Sequence, residues 1–391
     1  MNRTTKILIV QELWWPSGGG GLLATHLIAK ALAKNGFEVR VVTATRRYEA
    51  IDGVEFAYEP KLEASNKLRL WLNAYALSRE GWFKKLIKWA DVVYVPRYAY
   101  PLIPTAKALK KMVIVHLHDY QPISYTAVIF HDDQFRSDLA RTFHYELHQH
   151  GLVKALFAAP LTPINRLARK WVSQADVIIC VSNRQREIIE EAMPEVKGRV
   201  KVIYNPLPDL PPTEKRLTEE KLLLYLGGSS FVKGFHVLLK ALDEVAKRHD
   251  DLRVVMTRVK RGKGLARNYM VYEELPYDEV VKLHARAYAL LFPSLWEEPL
   301  PYVIIESMLM GTMPVAARVG GVPEIVGGSP AEEYLFTPSD VNEFVDKVEA
   351  ILSQPKDSIT DAGSKLRETV LKKFDSETIE KKLVAIFEEA S

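Results

Sequence analysis

Short apolar runs recur along the chain, and segments with helical spacing of their apolar positions separate most of them. The first half contains the runs KILIV, EVRVVTA, ADVVYVP, MVIVHLH, ADVIICVS and VKVIYNP, and the second half contains KLLLYLGG, LRVVMTR, YALLFPS and TMPVAAR. Such runs predict buried strands, and strands that alternate with helices form parallel sheets covered on both faces. The pattern predicts an α/β protein of two doubly wound, Rossmann-like domains that face a central cleft.

A proline-rich segment separates the two series. Its prolines are Pro206, Pro208, Pro211 and Pro212. Proline continues neither a helix nor a central strand, so this segment is expected to link two domains. The predicted organisation is a first domain over residues 1–205, a linker over 206–220, a second domain over 221–372, and a C-terminal helix over 373–391 that packs back on the first domain.

Composition and charge place the chain among soluble globular enzymes. Of its 391 residues, 48% are hydrophobic and 26% are charged, with a formal net charge of +4. No apolar run reaches the roughly 18–20 residues that span a bilayer, and the N-terminus has the pattern of a first strand and not of a signal peptide. The single cysteine, Cys180, fits a reducing compartment, so a cytoplasmic location is expected. The scattered basic residues match no nucleic-acid-binding motif, and no nucleic-acid partner is expected.

Three segments at the ends of predicted strands carry candidate ligand-binding residues. PSGGGG follows the first strand, and its glycines allow a phosphate or sugar to approach a helix N-terminus. VHLHDYQP ends a buried strand with His116 and His118 on one face, and His118 lies nearer the polar loop. LGGSSFVKG places Lys233 at the start of a helix, where its charge and the helix dipole favour a diphosphate. A flexible turn, a structural histidine and a solvated lysine are the respective alternatives.

A fourth segment, FPSLWEEPLPYVIIE, contains Glu298 and Glu306. Pro301 is expected to begin a helix, which puts Glu298 in the preceding loop and Glu306 on the second turn. Both carboxylates can then face one ligand at the carboxyl end of a strand. Two exposed glutamates remain the alternative.

Metal binding is not expected. No D-x-D sequence is present to bridge a metal to a diphosphate. His144, His148 and His150 lie close together along one predicted helix, but solvent-facing histidines explain them better than a metal site does. We therefore predict no metal and no cofactor.

A basic and aromatic stretch over residues 66–90 is a candidate membrane contact. It carries six Lys or Arg residues and one glutamate, beside the aromatic residues Trp71, Trp82, Phe83 and Trp89. This composition suits the surface of an anionic membrane. Amphipathic helices packed on the sheet account for the apolar half equally well, so both interpretations stay open.

Taken in this order, the motifs resemble the GT4 family of retaining glycosyltransferases, which have the two-domain GT-B fold. The resemblance covers nearly the whole chain and includes the glycine-rich turn, HD, ADVIICVS, GGSSFVKG, the Glu298-to-Glu306 spacing and GTMPVAARVGGVPEIV. It implies a nucleotide-sugar donor bound by the second domain and a sugar, glycan or lipid-linked acceptor bound by the first. It also implies retention of configuration without a metal ion or a protein nucleophile.

The resemblance assigns roles residue by residue. It implies that Glu306 binds the donor ribose, that Glu298 holds hydroxyls of the transferred sugar, and that Lys233 neutralises the diphosphate. It places His118 near the transferred sugar and the Gly19–Gly20 turn against the donor phosphates or the acceptor.

The chain departs from the family pattern at two points. Gly228 stands where the family often has a phosphate-binding arginine, which leaves Lys233 alone or with help from Arg258. Leu300 and Pro301 replace the usual Phe-Gly after the first glutamate, and proline removes one backbone donor beside the sugar.

Three other functions remain open from the sequence. A disaccharide phosphorylase or synthase would use the same fold with a sugar phosphate or a free sugar. The glycine turn and Arg46 suggest an NADP-dependent oxidoreductase, although Leu23 occupies the position of the third fingerprint glycine. A non-catalytic sugar-binding protein is the last alternative.

Overall fold

The chain divides into two compact units in a computed structural model that describes residues 4–131, 137–210, 214–259 and 269–389. The first unit consists of Met1–Val128, Pro160–Pro208 and Ser376–Ser391, and the second consists of Ile129–Ala159 and Asp209–Asp375. Each unit is built around one sheet.

The sheet of the first unit has seven strands in the order β3-β2-β1-β4-β5-β6-β7. Its strands are β1 Lys6–Val10, β2 Glu38–Thr43, β3 Val54–Tyr58, β4 Val92–Val95, β5 Met112–Leu117, β6 Val177–Cys180 and β7 Val200–Val202. All the pairings are parallel. The strand order reverses between β1 and β4, and ligands of open parallel sheets bind beyond the carboxyl ends of the strands at such a point.

The sheet of the second unit has six strands in the order β10-β9-β8-β11-β12-β13, again all parallel. Its strands are β8 Lys221–Tyr225, β9 Leu252–Thr257, β10 Tyr269–Tyr272, β11 Ala289–Phe292, β12 Met313–Ala317 and β13 Leu335–Phe336. Here the order reverses between β8 and β11.

Helices follow most of the strands. Those that precede β8 are α1 Gly20–Lys34, α2 Lys67–Leu77, α3 Gly81–Trp89, α4 Ile103–Ala108, α5 Asp138–His150, α6 Leu152–Ala158, α7 Asn165–Val172 and α8 Asn183–Ala192. Those that follow β8 are α9 Phe235–Val245, α10 Tyr277–Arg286, α11 Tyr302–Leu309, α12 Val322–Val326, α13 Val341–Leu352, α14 Lys356–Lys373 and α15 Ser376–Glu389.

The two parallel sheets confirm the predicted fold class. Every apolar run that was predicted as a strand forms one, because a strand buried on both faces is apolar at nearly every position. The strands that the apolar pattern missed are β3, β10 and β13. Each lies at an edge of its sheet. Glu55 interrupts the apolar pattern of β3, whereas β10 has only 4 residues and β13 only 2, too few for a clear run.

The C-terminal helix α15 packs within the first unit, as part of its covering layer. The ring of Phe387 lies edge-on to Phe37 and Tyr94, with centroids 6.4 and 5.4 Å away. Lys34 on α1 donates to Glu380 at 3.2 Å. Residues 129–159, which the sequence analysis placed in the first domain, belong to the second unit.

The stretch over residues 66–90 forms α2 and α3, and most of its aromatic side chains point inward. Trp71 is 3% exposed and Phe83 is fully buried. Trp89 lies beneath the guanidinium of Arg40, 4.1 Å from its ring centroid. Tyr75 and Trp82, each at 45% exposure, are the exposed aromatic residues of this stretch. These contacts agree with the packed-helix interpretation, and membrane contact through this stretch stays a prediction. No helix within the described part of the chain is both long and apolar enough to cross a bilayer.

Part of the predicted linker is hydrogen-bonded to the second unit. Pro211 and Pro212 lie outside the described residues, but Lys215 is partly buried and its ammonium donates to the carbonyl oxygen of His284 at 2.8 Å and to Thr312 Oγ1 at 2.9 Å. It also donates to the carbonyl oxygen of Ala287. The ammonium therefore satisfies carbonyl groups at the end of α10.

We expect Lys215→Met to destabilise the protein. The substitution leaves several buried oxygens without a donor, and an unsatisfied buried acceptor costs roughly 1–3 kcal/mol. Denaturant unfolding at neutral pH should show this loss. The matched control is Lys282→Met on the exposed face of α10, which should change stability little because solvent screens its ion pairs. Equal stability of both variants would contradict a structural role for Lys215.

Candidate active site

The loop between β8 and α9 is held in one conformation by side chains and by two glycines. Tyr225 Oη donates to the carbonyl oxygen of Gly228 at 2.8 Å and to that of Lys233 at 3.3 Å. Gly234 has φ +72°, and a Cβ there would fall 1.8 Å from the carbonyl oxygen of Pro293. Only glycine fits such a left-handed, crowded position. The loop therefore presents Lys233 at the N-terminus of α9 from a fixed backbone.

Gly228 itself has φ +69°, a conformation that explains why arginine is absent at this position. A Cβ at Gly228 would lie 3.1 Å from the carbonyl oxygen of Arg258. Arg258 contacts the loop through that carbonyl group, which accepts from Ser229 N at 3.3 Å, while its side chain is exposed. The structure thus shows a backbone contact for Arg258, and phosphate binding by its side chain stays a prediction.

Lys233 and Glu298 are in direct contact. Lys233 Nζ donates to Glu298 Oε1 at 2.5 Å and lies 5.2 Å from the centroid of the Trp296 ring. The same carboxylate oxygen accepts from Ser294 Oγ at 2.8 Å and from Trp296 Nε1 at 2.6 Å. The side chain of Glu298 is 5% exposed and that of Lys233 is 32% exposed. A cation and a carboxylate are therefore fixed together beyond the carboxyl ends of β8 and β11.

The turn that carries Glu298 is held by the glycine pair after β12. Gly321 N donates to the carbonyl oxygen of Glu298 at 2.8 Å, and Gly320 N donates to Glu297 Oε2 at 2.7 Å. A Cβ on Gly320 would lie 2.0 Å from the carbonyl oxygen of Glu298. Glu297 was not singled out from the sequence, and its carboxylate orients the turn from within the protein.

Glu306 lies on the second turn of α11, as predicted, and Pro301 caps the N-terminus of that helix. Tyr277 Oη donates to Glu306 Oε1 at 2.7 Å. Burial raises the pKa of Glu306, and the hydrogen bond from Tyr277 opposes that increase. Leu300 is 6% exposed and packs inward. Glu306 thus has its own partner, separate from the Lys233–Glu298 pair.

Helix α5, which is distant from the Lys233 loop in the sequence, holds that loop through hydrogen bonds. Gln149 Oε1 accepts from Phe231 N at 2.7 Å and from Ser230 Oγ at 3.2 Å. The phenyl ring of Phe231 stacks against His148 at 4.5 Å and against His236 at 4.9 Å. His148, expected to face solvent, is exposed but also makes this aromatic contact. No cluster of three potential metal-ligating side chains occurs among the residues that the structure describes.

We expect Gln149→Ala to weaken the binding of the ligand that Lys233 contacts. Loss of the amide oxygen frees Phe231 N and Ser230 Oγ, so the loop should become less ordered. The KM for that ligand should rise about three- to tenfold, which matches the roughly 0.5–1.5 kcal/mol of one hydrogen bond. Steady-state kinetics measure this change. Gln149→Glu keeps an acceptor at the same place and should restore most of the affinity; if both variants behave alike, Gln149 does not position the loop through this bond.

In the first unit, the glycine-rich turn meets the end of β5. A Cβ on Gly21 would lie 3.2 Å from the Cβ of His118, whereas a Cβ on Gly19 would meet no atom within 4 Å from the described residues beyond its chain neighbours. Open space at Gly19 is compatible with a ligand there. His118 at the end of β5 leaves little room for a side chain at Gly21. The sequence analysis did not distinguish Gly21 from Gly19 and Gly20 in this respect.

His118 lies above the more deeply buried His116, as the strand alternation predicted. Their rings stack with centroids 4.4 Å apart, and His116 Nδ1 lies 2.7 Å from Tyr94 Oη. Burial, with the charge of Arg97 nearby, lowers the pKa of His118 to about 3. The imidazole is therefore neutral at physiological pH, and its buried Nε2 has no hydrogen-bond partner among the residues that the structure describes. A neutral imidazole with a vacant nitrogen can bind a hydroxyl group.

A charged cluster that the sequence did not reveal lies beyond β1, β4 and β5. Arg97 Nε is 3.2 Å from Glu12 Oε1. Burial raises the pKa of Asp119, while a hydrogen bond from Gln121 N and the nearby Arg97 oppose that increase. Burial likewise raises the pKa of Glu12. Two carboxylates and one guanidinium thus lie near His118, at the place where this sheet reverses its strand order.

Comparisons with known proteins agree with this architecture. The family model described as Glycosyltransferase Family 4 matches residues 18–209, and the one described as Glycosyl transferases group 1 matches residues 209–368. An uncharacterised glycosyltransferase of Methanocaldococcus jannaschii is 25% identical over 359 residues, which cover 82% of each chain.

Two solved structures show the same fold along nearly the whole chain. The sucrose-phosphate synthase of Thermosynechococcus elongatus has a TM-score of 0.73 at 16% identity and covers 98% of both chains. Anabaena Alr3699/HepE, solved in complex with UDP-glucose, has a TM-score of 0.68 at 18% identity and covers 98% of this chain and 99% of that one.

The two family models adjoin each other at residue 209 and together extend from residue 18 to residue 368. Two parallel sheets, each with its site residues beyond the carboxyl ends of its strands, are the architecture that this family implies. The chain belongs to the GT4-type glycosyltransferases, which are transferase enzymes with the GT-B fold.

Proposed function

We propose that the protein is a retaining glycosyltransferase that moves a sugar from a nucleoside-diphosphate sugar to an acceptor hydroxyl. The observation that carries this proposal is the contact between Lys233 Nζ and Glu298 Oε1 in the second unit. Glycosyl transfer needs two neighbouring groups at the bond that breaks. One is a cation for the leaving diphosphate, and the other is a carboxylate for the sugar hydroxyls. The acceptor belongs to the class of sugars, glycans or lipid-linked glycans.

The donor is assigned to residues of the second unit. Glu306 accepts from the two ribose hydroxyls, because a carboxylate can accept from two neighbouring donors and hydrogen bonds to a charged group are strong. Glu298 holds hydroxyls of the transferred sugar through the oxygen that Lys233 does not occupy. Gly228, Leu300 and Pro301 line the donor without offering a charge. The solved complex of the similar Anabaena protein with UDP-glucose supports a nucleotide sugar as donor.

The transfer step needs no protein nucleophile. The bond between the anomeric carbon and the phosphate oxygen breaks, and the acceptor oxygen forms its bond on the same face. The proton of the acceptor hydroxyl passes to the departing phosphate oxygen. Lys233 stabilises the negative charge that accumulates on that oxygen.

The acceptor is assigned to the first unit. His118 offers a neutral imidazole, and the Glu12–Arg97 pair offers a buried carboxylate and a guanidinium. Gly19 and Gly20 leave room at the N-terminus of α1. Together these groups suit a polyhydroxylated ligand, since each can exchange hydrogen bonds with hydroxyl groups.

Thermal unfolding with UDP, GDP, ADP and TDP tests the donor assignment. A ligand at about 100 times its Kd stabilises the folded state by roughly 2.7 kcal/mol, which moves the midpoint by a few degrees. One nucleoside diphosphate should produce this shift, and Glu306→Gln should reduce it. The matched control, Glu368→Gln on the exposed face of α14, should keep it. A protein that responds to none of the four nucleotides would contradict the proposed donor.

Product analysis separates transfer from phosphorolysis. With the stabilising nucleotide's sugar conjugate, the product should form without inorganic phosphate, keep the configuration of the donor sugar, and form at the same rate after treatment with EDTA. A strict requirement for phosphate would favour the phosphorylase alternative. A loss of rate in EDTA would mean that Lys233 does not neutralise the diphosphate alone.

A further inference from the structure

One oxygen of the Glu298 carboxylate has more hydrogen-bond donors than lone pairs. Oε1 accepts from Lys233 Nζ at 2.5 Å, from Trp296 Nε1 at 2.6 Å and from Ser294 Oγ at 2.8 Å. A carboxylate oxygen offers about two lone pairs, so three short contacts exceed its capacity. One of the three donors is therefore surplus in this arrangement.

Lys233 is the donor that can leave the carboxylate. Its side chain is 32% exposed, and its ammonium carries three N–H groups at the end of a flexible stem. Ser294 is 1% exposed, and its hydroxyl also lies 3.3 Å from the carbonyl oxygen of Val232. The indole of Trp296 has one N–H group in a rigid ring. When Lys233 turns away, two donors remain for the two lone pairs of Oε1.

The main chain on both sides of Trp296 is held by a neighbouring segment of the second unit. Residues 129–131 pair with residues 295–297 through an antiparallel bridge and two flanking main-chain hydrogen bonds of 2.8 and 3.1 Å. These bonds involve no atom of the indole, so they persist when the side chain is replaced. The segment therefore fixes where the indole N–H meets Glu298.

The ring of Trp296 also faces the ammonium group. Lys233 Nζ lies 5.2 Å from the ring centroid, a cation–π contact that keeps the ammonium beside the carboxylate. A diphosphate at the loop competes with Glu298 for this ammonium. The competition costs less when Glu298 keeps other donors, because a buried acceptor without a donor is unfavourable.

We propose that Trp296 is a positioning residue that releases Lys233 to the diphosphate of the donor. Its indole N–H holds Glu298 Oε1 while the ammonium turns to the phosphate oxygens. The carboxylate then stays hydrogen-bonded, and its other oxygen remains directed at the sugar. This role rests on the donor chemistry proposed above and adds to it a residue that the sequence analysis did not single out.

Isothermal titration of the full chain with UDP, GDP, ADP and TDP tests this role. Trp296→Phe keeps an aromatic ring and removes the N–H group, so the affinity for the nucleoside diphosphate should fall about three- to tenfold. Glu298→Gln removes the charge that competes for Lys233, so the affinity should rise. In Trp296→Phe/Glu298→Gln the affinity should equal that of Glu298→Gln alone, because no carboxylate then retains the ammonium.

Trp82→Phe is the matched control. Trp82 Nε1 donates to Glu80 Oε2 at 2.8 Å, across the same sequence separation of two residues, and the side chain is 45% exposed in the first unit. Its replacement should leave nucleotide affinity unchanged. Ser294→Ala removes the other remaining donor of Glu298 and should act in the same direction as Trp296→Phe. Thermal unfolding without nucleotide checks that each variant is folded.

An equal loss of affinity from Trp296→Phe in the wild-type and Glu298→Gln backgrounds would overturn the role, since the indole would then support the loop and not the release of Lys233. Unchanged affinity in Trp296→Phe, or weaker binding in Glu298→Gln, would also overturn it. These outcomes leave the proposed donor intact. A wild type that binds none of the four nucleotides would contradict the proposed donor and, with it, the role of Trp296.

Discussion

Replacing Lys233 by alanine should lower the turnover of sugar transfer by about 100- to 1,000-fold, which corresponds to roughly 2.7–4 kcal/mol of lost transition-state stabilisation. The ammonium group lies against Glu298 in a loop that Tyr225 and Gly234 hold rigid, so its charge is placed before the donor binds. Negative charge on the phosphate grows as the glycosidic bond breaks. The donor affinity should therefore change less than the turnover.

Single-turnover and steady-state kinetics with the identified donor measure both quantities. Lys240→Ala removes an exposed lysine from α9, the helix that follows the Lys233 loop, and is the matched control. Lys233→Arg keeps a positive charge and should retain part of the activity, although its planar group does not reproduce the geometry of the ammonium. Wild-type turnover in Lys233→Ala would show that another group stabilises the leaving diphosphate.

Replacing Glu306 by alanine should weaken donor binding by about 10- to 100-fold and change turnover less, because hydrogen bonds to a charged group contribute roughly 1.5–3 kcal/mol. Glu306 is held by Tyr277 at 2.7 Å and lies on a helix whose neighbouring residues are buried. Isothermal titration with the nucleoside diphosphate measures the loss. Tyr277→Phe keeps the carboxylate and should cost less than Glu306→Ala.

The same carboxylate should make donor binding dependent on pH. Burial raises the pKa of Glu306, so its proton is taken up at a higher pH than that of an ordinary glutamate. As the pH falls towards this raised pKa, a growing fraction of the carboxylate is protonated and loses its ability to accept from both hydroxyls, so affinity should decrease. Glu306→Gln should bind weakly over the whole pH range. A decrease of the same size in Glu306→Gln would mean that a different group titrates.

The positions of Lys233, Glu298 and Glu306 could be found from the sequence because they follow the ends of recognisable strands. In a parallel sheet these ends lie at one edge, so sequence order alone indicates which residues share that edge. The identity of the contacting atoms could not be found in this way. Lys233 and Glu298 are 65 positions apart, and Gln149 and Phe231 are 82 positions apart. Contacts at such separations leave no periodic signal in either segment.

What the sequence by itself determined is the succession of buried strands and helices, since a strand covered on both faces has to be apolar at almost every position. It also predicted which short loops carry ligand-binding residues, because glycines, Lys233 and the two glutamates follow the ends of recognisable strands. Only the tertiary structure decided which edge strands complete each sheet, since Glu55 interrupts the apolar pattern of β3 and β10 has only 4 residues. It also decided that α5 supports the Lys233 loop and that α6 turns its large apolar residues outward. The sequence of α6 alone is compatible with an ordinary buried helix. Hydrophobicity indicates that a surface is unfavourable in water, but it does not identify what covers that surface.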